Sequence, residues 1–168
     1  PGTKPDPMQA NISLNIRLPR VILAALVGAA LAAAGAAFQG LLKNPLADPY
    51  TLGVSSGAAV GAVVTLFFGI QLPAIGGFTL PLLSIAAAVA VMFMVLFFAR
   101  LVHPSLPLSA LILTGVIFSS FLGALISLMI ALTGDDLKPI VGWLLGSVSM
   151  RGWSYIGLFL PFMICGTA

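Results

Sequence analysis

Side chains able to act as acids, bases, nucleophiles or ligands are few in this chain, and they do not converge. There is one histidine, His103, placed beside Pro104 and near Arg100, and the four acidic residues are all aspartates, spread over three distant segments. General acid–base or metal chemistry needs several such groups brought to one point. His103 reads as an interfacial histidine at a helix end. Ser55-Ser56 and Ser119-Ser120 have no base close in sequence and suit hydrogen bonds to carbonyls of their own helices. Asp135 and Asp136 suit caps for a short helix and supply too few oxygens for a cation. Cys165 lies alone in an apolar run, and no P-loop glycine pattern occurs. The residues argue against an enzyme and call for no cofactor or resident metal.

Two polar groupings stand out against this background. Arg17 and Arg20 flank Leu18-Pro19 at the head of an apolar run. Arginine at a helix N-terminus opposes the macrodipole, so helix stability does not explain the pair. Snorkelling to a membrane interface and pairing with a partner's carboxylates both do, and the residues alone favour snorkelling. The second grouping is the stretch 43–57, a polar break between apolar runs. Asn44 precedes Pro45 and Asp48 precedes Pro49, which turns both pre-proline positions away from the α region and stops an incoming helix. Thr51 can cap the next helix. Such a break at membrane depth needs protein or water to satisfy its backbone, so it is a candidate gate or ligand pathway. Gln39, just before it, is an amide in an apolar helix, suited to an interhelical bond.

The elements that must position these residues are membrane helices. Of 168 residues, 60% are hydrophobic and 7% charged, whereas a soluble domain has about 25% charged residues. Runs such as 80–99 do not alternate as barrel strands would. The expected fold is therefore all-α, a polytopic transmembrane helical bundle with about five spans of roughly 20 residues. The spans fall at 18–42, 52–69, 82–102, 108–132 and 153–168, after a polar extramembrane arm over 1–16. A short helix over 137–145, bracketed by Trp143, Trp153 and Tyr155, suits a membrane surface. The net charge of +3 is too small and scattered for nucleic acid. A start at Pro1 and an end inside an apolar run at Ala168 read as a fragment.

Small residues recur every fourth position in the first two spans: Ala24, Gly28, Ala32, Ala36 and Gly40, then Gly53, Gly57 and Gly61. That spacing lines one helical face and predicts close helix packing.

Taken in order, Arg17-Leu-Pro-Arg20, Gly35 to Gln39, Asn44-Pro-Leu-Ala-Asp-Pro49 and Leu52-Gly-Val-Ser-Ser-Gly-Ala58 resemble the FecCD-type permeases. So do Leu111-Ile-Leu-Thr-Gly-Val116 and Trp143-Leu-Leu-Gly-Ser147. These permeases are membrane subunits of ABC importers for iron–siderophores, haem and cobalamin, and the chain corresponds to about the first half of one. The resemblance implies a homodimeric permease of a bacterial or archaeal cytoplasmic membrane, embedded in lipid. ABC ATPase subunits would drive it through a loop beyond Ala168, and an extracytoplasmic substrate-binding protein would deliver the substrate. It implies that Arg17 and Arg20 dock that binding protein, reversing the reading from the residues alone. It places Asn44 and Leu46 near a cytoplasmic gate and Leu108 and Ser109 at the start of a pathway-lining helix.

Charge alone gives the opposite orientation. Lys4, Arg17, Arg20, Lys138 and Arg151 outweigh Lys43 and Arg100, which would put the N-terminal arm in the cytoplasm. The resemblance, with a helix missing before Arg17, puts it outside. The competing class is a secondary transporter with a broken-helix site at residues 44–56. The expected spans contain no acid to couple to an ion, which counts against it.

Overall fold

Pro19 was expected in the opening turn of a helix; instead it sits well inside one. In a computed structural model that describes residues 7–134, 137–146, 148 and 152–167, α1 (Pro7–Ile12), a π-helical stretch (Ser13–Arg17) and α2 (Leu18–Leu42) follow without a break. A proline in a helix has no N–H to give and its ring crowds the carbonyl four residues back. The wider π turn relieves this: the Leu18 amide donates to the Ser13 carbonyl, five residues back. The described part of the N-terminal arm is thus helical, and Arg17 and Arg20 are not at a helix N-terminus. Neither guanidinium therefore faces the positive end of a helix macrodipole.

The chain divides into two compact units, residues 38–146 and residues 1–37 with 147–168. The first holds α3 (Val54–Phe67), α4 (Thr79–Val102), α5 (Leu108–Leu132) and α6 (Lys138–Leu144). Its packing begins with glycine. A Cβ on Gly57 would lie 2.8 Å from Val91 Cβ, and one on Gly61 would lie 2.6 Å from Ala87 Cβ and 2.8 Å from the Leu83 carbonyl oxygen. No side chain fits there, so α3 and α4 approach backbone to backbone. Around that seam, Val91, Val95 and Leu122 pack with Val60 and Phe118. Val63, Met129 and Ile140 pack together with side chains that include Leu66, Phe67 and Leu125, joining α3, α5 and α6. In water each such aliphatic burial contributes about 1.5–3 kcal/mol. Between helices in lipid that term largely vanishes, and closeness of fit has to replace it. Buried hydroxyls are satisfied within their own helices: Thr65 donates to the Gly61 carbonyl at 2.6 Å and Ser84 to Leu80 at 2.8 Å. On the exposed side of α5, Ser120 likewise donates to the Val116 carbonyl.

Element ends differ from expectation where local turns take over. α3 is shorter than the expected 52–69 because Pro49–Leu52 forms a separate 3₁₀ turn and Gly53 adopts φ +77° before the helix starts. Its far end closes as a Schellman motif, with Gly69 at φ +60°, its amide on the Leu66 carbonyl and the Ile70 amide on Thr65. α4 starts at Thr79 rather than 82, since Pro81 in its first turn loses no hydrogen bond. The Thr79 hydroxyl donates to the Gly76 carbonyl and accepts from the Leu72 amide. α6 has Leu137 at its N-cap with no side-chain cap; Asp135 and Asp136 lie outside the described residues.

The second unit contains most of α2 together with α7 (Trp153–Thr167), and buries Pro19, Leu23 and Ile156. Among the described residues every regular element is helical. Three helical stretches among the described residues are long and apolar enough to cross a membrane: Ser13–Leu42, Gly76–Val102 and Leu108–Leu132. The stretches Val54–Phe67 and Trp153–Gly166 are apolar but shorter. At 1.5 Å per residue α3 reaches about 21 Å, less than the ~30 Å hydrocarbon core.

Candidate functional site: the turn between α2 and α3

The residues that end α2 also build the turn. Lys43 takes φ +49°, its amide donates to the Gly40 carbonyl and the Asn44 amide to Gln39, so a Schellman motif closes the helix without glycine. Asn44 then folds the chain on itself. Its Oδ1 accepts the Leu46 amide at 3.0 Å and its carbonyl accepts the Ala47 amide at 3.1 Å. Asp48 repeats the device one step on. Its Oδ1 accepts the Tyr50 amide at 2.9 Å, while its carbonyl accepts both the Thr51 amide and the Thr51 hydroxyl, the latter at 2.7 Å. The two polar residues before the prolines thus satisfy the backbone of the break from within. Contrary to the expectation from sequence, Thr51 does not cap α3, whose N-cap is Gly53; it braces the 3₁₀ turn, which Asp48 caps.

The turn has two sides. Leu46 is 87% exposed, and Tyr50 is also exposed. Gly53 is buried, and a Cβ there would lie 3.3 Å from Ser119 Oγ and 3.6 Å from Val91 Cγ1. A Cβ on Gly115 would overlap the Thr51 carbonyl oxygen and lie 2.9 Å from Leu52 Cα. The turn therefore rests on α5 through backbone contact at Thr51 to Gly53. Gly115 and Ser119 were not singled out as site residues from the sequence. The one available signal was that Gly115 falls inside the stretch Leu111–Val116.

The other candidates stand apart from that contact. Leu108 is half-buried and Ser109 exposed, in the first turn of α5, after Pro107 in extended conformation. Among the described residues no hydrogen bond joins them to Asn44 or Leu46. Gln39 is exposed on α2. Arg17 is exposed, whereas Arg20 is half-buried with a buried Nε that meets no hydrogen-bond acceptor among the described residues. A guanidinium N–H left in that state costs about 1–3 kcal/mol or more in desolvation. Of the glycines assigned to packing, Gly57 and Gly61 face α4, while Gly53 faces α5 as well.

The profile of the FecCD transport family matches residues 2–168. The chain belongs to that family. It is 78% identical over 162 residues to YvrB, an uncharacterized ABC transporter permease of Bacillus subtilis (strain 168), covering 96% of this chain and 46% of the relative. It is 39% identical to the molybdate import permease MolB of Haemophilus influenzae, over 96% of this chain and 47% of that one. Among solved structures it resembles a metal-chelate type ABC transporter in an inward-facing conformation, with a TM-score of 0.82 and 35% identity, over 97% of this chain and 51% of that one. The chain spans about half the length of the relatives it matches. Family membership and the apolar helices make this a multi-pass protein of the cytoplasmic membrane.

Proposed function

We propose that this FecCD chain serves in the membrane-spanning permease of an ABC importer for a metal chelate, haem or cobalamin, moved by alternating access without chemical change. The observation that carries the reading is the family match over residues 2–168. Relatives named as permeases for cobalamin, iron(III) dicitrate and hemin support the substrate class. The molybdate permease among them shows how far substrates diverge on one framework, so the class rather than the compound is proposed. A secondary transporter is disfavoured because these relatives are ABC permeases.

On this reading ATPase subunits drive a permease formed with a second copy of the chain, and an extracytoplasmic binding protein docks on Arg17 and Arg20. The exposure of Arg17 supports that role, since a partner's carboxylate can reach its guanidinium. Asn44 and Leu46 act at the cytoplasmic gate, with Leu108 and Ser109 lining the pathway. Uptake of radiolabelled chelates by cells with and without the full-length gene tests the transport reading; unchanged uptake of every chelate, haem and cobalamin would discard it. Arg17→Glu with Arg20→Glu, in the full-length protein in nanodiscs, is expected to weaken binding-protein affinity about tenfold or more. Expression and thermal stability stay as they were. Equal affinity would remove the docking role. A cysteine at position 17 that resists impermeant reagents from outside would reverse the orientation.

A further inference from the structure

We propose that Gly115 is a positioning residue that locks the turn 49–53 to α5, so that the exposed turn bearing Asn44 and Leu46 is carried by movement of α5. The inference rests on the gate reading above and adds the element that moves the gate. Its basis is the kind of contact. Thr51 and Leu52 meet Gly115 through backbone atoms, at a separation that leaves no room for even one methyl group. One helical turn on, Ser119 meets buried Gly53, whose φ of +77° is a conformation other residues rarely adopt. Side chains can change rotamer to absorb a shift, but backbone in contact with backbone cannot. A displacement of α5 toward the turn at these residues therefore has to displace residues 51–53.

What lies upstream is stiff in itself. The 3₁₀ turn Pro49–Leu52 is held by a fixed proline φ and by three bonds to Asp48. The Asn44 turn is closed by its own two bonds. Beyond the α5 contact, Leu46 is 87% exposed. The arrangement is a compact arm that rests on α5 at residues 51–53 and joins α2 at residue 43, with the gate residues between the two. Gly123, two turns further along α5, has nothing within 4 Å of a built Cβ. The requirement for glycine is thus local to the contact and not a property of the helix.

Hydrogen exchange on the full-length permease assembled with its ATPase in nanodiscs tests this. In the wild type, peptides covering 44–53 and 108–119 are expected to change protection together between the nucleotide-free and ATP-analogue-bound states. In Gly115→Ala the turn is expected to exchange about tenfold faster and to lose its nucleotide response, while 108–119 keeps its own. Gly123→Ala should behave as wild type. A turn that still follows the nucleotide state in Gly115→Ala overturns the proposal, as does exchange raised equally throughout the protein. Should Gly115→Ala fail to assemble, Pro49→Gly loosens the arm without adding an atom at the contact. It should weaken the turn's response in the same way, and an unchanged response would again overturn the proposal. Uptake assays run in parallel separate the two ideas. A wild type that imports nothing discards the transport reading, whereas the exchange pattern decides the coupling by itself.

Discussion

Small residues recur every fourth position on both α2 and α3, yet the two faces have opposite surroundings. On α3, Gly57 and Gly61 lie so close to α4 that an added methyl would enter Val91 or Ala87. On α2, Ala24, Gly28, Ala32, Ala36 and Gly40 are all exposed, and a Cβ on Gly28 or Gly40 would meet nothing within 4 Å. The spacing alone therefore permits close approach without causing it. What makes the α3 row a packing face is the matching side of α4, where Ala87 and Val91 also fall four apart and Ser84 and Ala88 are buried.

The largest effect should come from filling the α3 seam. Gly61→Leu would drive a branched side chain into the Leu83 carbonyl and Ser84 Cα, where backbone cannot yield. Overpacking costs about 1–3 kcal/mol in well-packed cores and more where backbone must move, so a loss of about 3 kcal/mol or greater is expected. Thermal or denaturant unfolding of the full-length protein in detergent would read it. Stability within about 0.5 kcal/mol of wild type would erase the distinction between the two rows.

Gly28→Ala asks the converse question. With open space around the site, the methyl removes helix-interior glycine and should stabilise by about 0.5–1 kcal/mol. A loss of stability would sharpen the comparison in another direction, by showing that the α2 row meets a tight partner in the assembled protein. Paired measurement of the two variants in one background separates seam from open face without recourse to transport.

The two rows also mark where the sequence was legible. Spacing identified both, because helical period is a local property of residue order. It could not say which one is packed, since that depends on a second helix distant in sequence. The fold class was readable for the same local reason: runs of apolar residues longer than a soluble helix needs, with few charges. Pro19 misled because a proline near the start of an apolar run resembles a first-turn proline, and only the π turn over 13–17 shows that the helix began earlier. At the candidate gate, Asn44 and Asp48 were visible through their prolines. The contact at Gly115 was not, because it depends on the Thr51 carbonyl that the glycine admits, more than sixty positions earlier in the chain.

The helix ends extend the comparison to its smallest expected effect. α2 and α3 close with the same pair of hydrogen bonds, but α3 places Gly69 in the left-handed position and α2 places Lys43 there. A side chain in that conformation costs about 1–2 kcal/mol. Glycine relieves the cost but gains freedom in the unfolded chain, which returns part of it. Lys43→Gly should therefore stabilise the protein by less than about 1 kcal/mol, whereas Gly69→Ala should lose about 1 kcal/mol or more. If Lys43→Gly gives the gain and leaves transport unchanged, the lysine is a tolerated cap and nothing more. If the gain comes with slower uptake, the strain belongs to the gate, because residue 43 is where the arm bearing Asn44 and Leu46 joins α2. No change in stability would mean that the left-handed lysine is already relieved by its surroundings, and the likeness between the two helix ends would then be geometric only.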